Sequence, residues 1–172
     1  MSVDELVDIV DKDGKVVGQI GKHQAHKDGV LHRCVVGEVR DRAGNWVLVK
    51  QTPDRQDAGQ YVSPVGGHVQ AGESSEVALI RETREEIGLA DFEYSFVGEG
   101  IYERHVIGRH ENHYFMVYQI TADPNDIVLG SEAEGWRAFS ESELLHEIKT
   151  NPMLFGDAFY EVLRQFYPQM LQ

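Results

Sequence analysis

The chain has 172 residues, a formal net charge of −13 and one cysteine, Cys34. This length suits a single domain over residues 1–172, and the acidic excess argues against nucleic acid as a partner, because phosphate backbones are bound by clustered Lys and Arg. With no apolar run of membrane-spanning length and no second cysteine for an intrachain disulfide, the composition favours a cytoplasmic protein without a membrane partner.

Residues 1–30 are expected to hold a hairpin followed by a loop. Residues 6–10 and 16–20 flank an Asp-Gly pair, which is a strong signal for a two-residue hairpin turn. Residues 21–29 are polar and rich in histidine. This composition predicts a loop.

The middle of the chain predicts further strands separated by polar segments. Residues 41–44 have a turn composition, and residues 51–60 lack periodicity and are predicted to form a surface loop. Residues 103–113 are a polar stretch between two strands. The predicted strands are residues 32–39, 46–50, 92–100, 114–120 and 136–139.

Two helices have clear boundary signals. The first begins near Ser74 or Ser75, both suitable N-caps, and ends at Gly88, which suits the left-handed position after a helix. Ser140 and Glu143 have the spacing of a capping box and open the second helix.

The predicted C-terminal helices occupy residues 140–172, and the last of them covers residues 152–167. Its apolar residues recur at steps of three and four, which predicts a stripe that faces either the core or a homodimer partner. These residues are Phe155, Phe159, Val162 and Phe166. The irregular alternation of strands and helices predicts an α/β fold, an α/β/α sandwich with a mixed β-sheet between helices.

The helix that ends at Gly88 carries an unusual concentration of acidic residues. Helical geometry places Glu82, Glu85 and Glu86 on one face. Like charges at these spacings repel, and anions are disfavoured in the last turn of a helix. A hard divalent cation such as Mg²⁺ or Mn²⁺ would remove this conflict, because both ions prefer carboxylate oxygens and bind phosphates. The alternative is a solvated face paired with Arg81 and Arg84.

The spacing of this segment resembles the Nudix box, which would cover residues 67–89. All invariant-type positions of the box are met, and one hydrophobic-type position holds Thr83 instead. The matching residues are Gly67, Glu73, Arg81, Glu82, Glu85, Glu86 and Gly88, followed by Leu89. The resemblance implies a Nudix-type fold and a hydrolase that acts on phosphoanhydride bonds with the help of divalent metal ions.

The resemblance also implies roles for the matched residues. Glu82, Glu85 and Glu86 would bind Mg²⁺ or Mn²⁺ together with a backbone carbonyl of Gly66 or Gly67. Glu82, Glu85 and Arg81 would form the catalytic set, in which the identity of the general base stays open. Glu73 would support the box.

A second resemblance links the chain to the branch of the superfamily that contains type 1 isopentenyl-diphosphate isomerases and hydrolase-like relatives. It is carried by residues 10–20, 31–33 and the Gly67-His68 pair. The isomerases bind a metal through histidines and glutamates. The residues here that resemble those ligands are His26, one residue from its expected spacing, His32, His68 and Glu111, with His113 in place of a second glutamate.

From this likeness we expect His32, His68, Glu111 and His113 to share a site, either for a second metal ion or for a phosphate group. Zinc or manganese would suit such a mixture of imidazole and carboxylate. The isomerases carry a catalytic cysteine at the position of Gly66, and its absence argues against isomerisation.

The sequence therefore predicts a metal-dependent hydrolase that cleaves a diphosphate linkage in a nucleoside diphosphate derivative or a similar small organic diphosphate. The alternatives are an enzyme like the isomerases and a non-catalytic nucleotide-binding sensor. Substrate choice is expected to depend on residues 51–60 and 103–113, which carry no readable specificity signal.

Overall fold

The computed structural model describes residues 3–106 and 108–172, which form nine strands and four α-helices. The strands are β1 (Leu6–Val10), β2 (Val16–Gly21), β3 (His32–Arg40), β4 (Trp46–Gln51), β5 (Tyr61–Val62), β6 (Val65–His68), β7 (Glu93–Val106), β8 (Arg109–Thr121) and β9 (Ala133–Phe139). The helices are α1 (Lys22–Asp28), α2 (Ser75–Ile87), α3 (Glu141–Thr150) and α4 (Asp157–Phe166).

All of these strands belong to one mixed sheet organised around β3. β8 lies parallel to β3 along the full length of β3, from His113 opposite His32 to Thr121 opposite Arg40. The other edge of β3 is shared by β1, β6 and β4, and all three are antiparallel to it. Because β7 pairs with β8, neighbouring strands run in the order β7, β8, β3 and β6 across this part of the sheet.

Successive residues of β3 face opposite sides of the sheet, as the pleat of a strand requires. Val35 and Val39 pack in a buried cluster with residues of α2. Cys34 and Val36 belong to a second buried cluster with residues of α3 and α4. The predicted α/β fold, with a mixed sheet between helices, is therefore confirmed.

The helix α2 has the boundaries that the sequence predicts. The side chain of Ser74 accepts a hydrogen bond from the backbone amide of Val77 at 3.2 Å, and Gly88 ends the helix with φ of 70°. Thr83 and Ile87 are fully buried against the sheet. The opposite face, which carries the glutamates, is left for other contacts.

The prediction of a loop over residues 21–29 is wrong, because α1 occupies most of this segment. The helix buries Ala25 and His26, and Gly29 ends it in the left-handed region with φ of 68°. Its N-cap, Gly21, makes no side-chain capping bond. A polar segment of two turns without a capping side chain gives little sign of a helix in the sequence.

The polar residues 103–113 also differ from the prediction, because β7 extends to Val106 and β8 begins at Arg109, with residue 107 outside the described part of the chain. Arg104 lies opposite Glu111 in the hairpin, and its Nε donates to the Glu111 carboxylate at 2.6 Å. Opposite charges across a strand pair stabilise the pairing. Both strands are therefore longer than predicted.

The predicted last helix is divided in two. A 3-10 turn, Pro152–Leu154, precedes α4, and Gly156 lies between them as the N-cap of α4. Phe155, Phe159 and Val162 are buried in the core beneath the sheet. In the described part of the chain no helix has the length and apolar character needed to cross a membrane.

Candidate active site

A cavity of about 900 Å³ extends from α2 and β6 across the sheet to β7 and β8. It brings together residues that are far apart in the sequence. Its polar lining includes Gly66, Gly67, His68, Arg81, Glu82, Glu85, Glu86, His26, Arg104, Arg109, Glu111 and His113. Most of the predicted site residues therefore share one cavity.

The strand β6 and the acidic face of α2 are in direct contact. A Cβ atom on Gly67 would lie 2.2 Å from Cδ of Glu82, so the position has room only for glycine. The backbone amide of Gly66 donates to Oε2 of Glu86 at 2.8 Å. The Gly-Gly pair thus lets the sheet backbone approach two glutamates of the helix closely.

Arg81 connects the acidic face to the loop before α2. Its guanidinium donates to both carboxylate oxygens of Glu73, at 3.0 and 2.9 Å, and to the backbone carbonyl of His68 at 3.0 Å. The same side chain donates to Glu82 at 2.5 Å and lies 3.8 Å from Glu85. A guanidinium suits this arrangement, because its planar fork can serve several acceptors at once.

Two residues outside the box support the same loop, and sequence reasoning missed both. Asp8 is 3% exposed and accepts hydrogen bonds from the Gly72 amide at 3.0 Å and from Arg33 at 2.7 Å. Arg33 also donates to the backbone carbonyl of Glu73 at 3.2 Å. Although burial opposes it, donation from Gly72, Gln19 and Arg33 lowers the pKa of Asp8. No sequence signal pairs β1 with this loop.

Two glutamates of α2, Glu82 and Glu86, lie in an environment that raises the pKa of their carboxyl groups. Burial raises the pKa of Glu86 to about 9, and the neighbouring carboxylates Glu82 and Glu85 act in the same direction, against the bond from Gly66. Burial also raises the pKa of Glu82, despite the contact with Arg81. Carboxylates confined in this way, with oxygen donors only, fit a hard divalent cation.

Four histidines form a second, tighter group in the same region. They are His26 of α1, His32 of β3, His68 of β6 and His113 of β8, and their potential ligand atoms all lie within 4.8 Å of one another. The Nε2 atom of His26 lies 3.1 Å from Nε2 of His68 and 3.3 Å from Nε2 of His113. Among the described residues, the carboxylate oxygens of the α2 glutamates are farther apart than the ligand atoms of this histidine group.

These imidazoles are held in the neutral form, which is the form that binds metals. Burial is the main cause, and it lowers the pKa of His26 to about 4 and those of His68 and His113 well below the usual value. Nδ1 of His32 contacts the backbone carbonyl of Val30 at 2.7 Å, and its buried Nε2 has no hydrogen-bond partner. Four neutral nitrogen donors, one of them unsatisfied, fit a borderline-soft cation.

The residues that the structure brings together differ in part from those predicted for the second site. His32, His68 and His113 come together as predicted, but His26 completes the group and Glu111 does not belong to it. Instead, Glu111 accepts a hydrogen bond from Arg104 and forms an ion pair with Arg109. The sequence places His26 one residue from the expected ligand spacing, and it joins the group because it lies on the buried face of α1.

Comparison with known proteins identifies the class of this chain. The NUDIX domain matches residues 30–156, and the chain belongs to this family. The prediction of a Nudix hydrolase is therefore confirmed at the level of the class.

Individual relatives come from both expected branches. The chain is 41% identical over 88 residues to an uncharacterized Nudix hydrolase of Streptomyces coelicolor, an alignment that covers 51% of this chain and about half, 49%, of that relative. It is 27% identical over 158 residues to isopentenyl-diphosphate Delta-isomerase 1 of Aromatoleum aromaticum, which covers 90% of this chain and 88% of the relative. A crystal structure of a Deinococcus radiodurans protein has the same fold, with a TM-score of 0.73, 23% identity and coverage of 95% and 99%.

Proposed function

We propose that this protein is a metal-dependent hydrolase that cleaves a diphosphate linkage in a nucleoside diphosphate derivative or a similar small organic diphosphate. The observation that carries the proposal is the contact between the Gly66-Gly67 segment and two partly buried glutamates, Glu82 and Glu86, at the wall of a large cavity. Membership of the NUDIX family supports it.

Glu82, Glu85 and Glu86 would hold Mg²⁺ or Mn²⁺, together with a backbone carbonyl of Gly66 or Gly67. Such an ion, when bound, supplies polarisation of phosphoryl oxygens and lowers the pKa of an attacking water. The oxygen-only donor set and the open cavity beside it fit this chemistry.

Individual side chains have distinct roles in the proposed reaction. Arg81 holds Glu82 in one orientation, and Glu73 in turn fixes Arg81 by two hydrogen bonds. The Glu85 side chain is 60% exposed and faces the cavity, so it can reach a water molecule. Glu82 and Glu85 are therefore the candidates for the group that accepts a proton from the attacking water.

The four-histidine group provides a second place for a cation or a phosphate contact. Its location beside β6 puts it next to the glutamate site, since His68 directly follows Gly67. Neutral, buried imidazoles favour a metal ion over an anion, because they carry no charge with which to attract phosphate.

Hydrolysis is tested with a panel of nucleoside diphosphate derivatives, dinucleotides and small organic diphosphates in the presence of Mg²⁺ or Mn²⁺. Glu85→Gln and Glu86→Gln should lose activity and remain folded. Glu76→Gln, on the exposed first turn of the same helix, should keep it. Reaction in ¹⁸O-water then shows which phosphorus is attacked. Metal-dependent binding of a compound without turnover would instead indicate a sensor.

Isomerisation is the second candidate function, favoured by the isomerase relatives. Gly66 occupies the position where the isomerases carry a cysteine, and the chain retains all carboxylates of the Nudix helix. Incubation with isopentenyl diphosphate and product analysis separates the two activities. Formation of the isomeric diphosphate without release of phosphate would replace the hydrolase proposal.

We also propose that residues 1–172 form one domain acting in the cytoplasm on a small molecule. The pairing of β1 with β3 and the packing of α4 against the sheet support a shared core. Phe155, Phe159 and Val162 are buried in the core, so they are not available for a dimer contact. A homodimer would have to form through other, exposed surfaces.

A further inference from the structure

The strand order places different chemical groups in sequence across the sheet. Residues opposite each other on paired strands share a face, so Arg104 and Glu111 of the β7–β8 pair lie on the same side. His113 follows two residues later on β8 and lies opposite His32. Beyond β3 comes His68 on β6, and the acidic face of α2 reaches β6 from the opposite side of the sheet, at Gly67. The cavity therefore has an acidic end at α2 and a different end at β7 and β8.

That different end contains two arginines that share one carboxylate. Nε of Arg104 donates to Glu111 at 2.6 Å, and Nη2 of Arg109 forms an ion pair with the same carboxylate at 2.6 Å. The Glu111 side chain is 5% exposed, whereas those of Arg104 and Arg109 are 17% and 45% exposed. All three line the cavity. Each guanidinium keeps further N–H groups that Glu111 does not use.

Two guanidinium groups are concentrated at this end of the cavity. Both contact Glu111, and Asp57 lies 3.8 Å from Arg104 as a second acidic partner. In a chain with a net charge of −13, these two arginines line the main cavity side by side. Bracing the hairpin would need only one of the two arginines.

We propose that Arg104 and Arg109, oriented by Glu111, form an anion-binding subsite for a phosphate or carboxylate group of the substrate. The subsite lies roughly three strand spacings, of about 4.8 Å each, from β6 and its contact with the acidic face. Planar guanidinium forks bind both oxyanions through paired hydrogen bonds. The assignment of the bound anion to a diphosphate substrate rests on the proposed function, whereas the binding of an anion by the two arginines does not.

Isothermal titration calorimetry with inorganic phosphate tests the subsite in a buffer that contains a chelator. Without divalent ions the acidic end repels anions, and the glutamine variants measure how much of the remaining binding depends on Arg104 and Arg109. The wild type should bind phosphate, and Arg104→Gln and Arg109→Gln should each weaken binding at least tenfold. Arg104→Lys should bind with intermediate affinity. Arg164→Gln, an exposed arginine on α4, is the matched control and should bind like the wild type.

A parallel titration with acetate separates the two kinds of anion. Preference for phosphate assigns a phosphate group to the subsite, and preference for acetate assigns a carboxylate. The proposal is overturned if the wild type binds neither anion, or if both glutamine variants bind like the wild type. It is also overturned if binding requires Mg²⁺ and disappears in Glu86→Gln, because the anion then binds at the acidic end. Phosphate binding by Arg104 and Arg109 would stand even if hydrolysis were not found.

Discussion

Gly67 and Glu82 are in contact across the junction of β6 and α2, with no space for a side chain between them. A Cβ atom at position 67 would lie 2.2 Å from Cδ and 2.4 Å from Oε1 of Glu82. The glycine at the start of the box is therefore required by the position of the Glu82 carboxylate. Its backbone φ is not in the left-handed region, so the requirement is one of space and not of conformation.

Gly67→Ala should impair catalysis far more than folding. The added methyl group must displace the Glu82 carboxylate, which is the end of a flexible side chain, and the helix itself need not move. A displacement of about 1 Å in a catalytic group can cost roughly 100-fold in rate, and we expect a loss of kcat of this order. Steady-state kinetics and thermal melting measure the two effects. Gly135→Ala is the control, because nothing lies within 4 Å of its Cβ position; equal activity of both variants would contradict this view.

Arg81→Lys should weaken metal binding although it keeps the positive charge. A lysine ammonium cannot donate simultaneously to Glu73, Glu82 and the His68 carbonyl as the guanidinium does. Loss of a residue that orients metal ligands typically costs about 10- to 100-fold in metal affinity or activity. The Mn²⁺ concentration for half-maximal activity should rise accordingly.

Arg84→Lys provides the comparison for this experiment. Arg84 lies in the last turn of the same helix and is exposed. Its replacement should leave the Mn²⁺ requirement unchanged. If Arg81→Lys kept the wild-type Mn²⁺ dependence, the hydrogen bonds of Arg81 would have no part in arranging the glutamates.

The histidine group should bind a transition metal independently of the glutamates. Titration with Co²⁺, followed by its visible spectrum, should show one bound ion per chain in Glu86→Gln. His26→Ala should reduce the affinity by at least about tenfold, since loss of outer contacts alone has an effect of this size. His146→Ala, an exposed histidine on α3, should have no effect. Absence of a Co²⁺ spectrum in the wild type would remove the second cation site from the proposal.

The parts of this structure that the sequence predicts well are those with local signals. The ends of α2 follow from Ser74 and Gly88, whose capping roles depend only on nearby residues. The acidic face follows from helical periodicity, and the NUDIX family follows from the spacing along one continuous segment.

The parts that could not be predicted depend on contacts between distant segments. His26 joins the other histidines because α1 packs beside β8, although the helix has no strong local signal. The role of Glu111 depends on cross-strand pairing with Arg104 in a hairpin whose polar composition resembles a loop. Such pairings are set by register, which a single sequence does not reveal.

A buried carboxyl group away from the proposed metal ligands makes the stability of the protein depend on pH. Glu38 of β3 is fully buried, and burial raises its pKa to about 7 from 4.5, against a hydrogen bond from Ser63 and the charge of Arg40. The folded protein therefore keeps this proton up to about pH 7, whereas the unfolded chain releases it near pH 4.5. The stability that Glu38 contributes is fully present below its pKa in the unfolded chain. It is lost as the pH rises through its pKa in the folded protein.

Glu38→Gln should remove this loss, because an amide of the same shape has no proton to release. The two pKa values differ by about 2.5, and at about 1.4 kcal/mol per unit the upper limit is roughly 3.5 kcal/mol. Urea unfolding between pH 4 and pH 8.5 should show a smaller decline in the free energy of unfolding for Glu38→Gln than for the wild type. Glu93→Gln, at an exposed position of β7, should follow the wild type. Parallel pH profiles for Glu38→Gln and the wild type would mean that Glu38 is ionised in the folded protein, with Arg40 offsetting the cost of its burial.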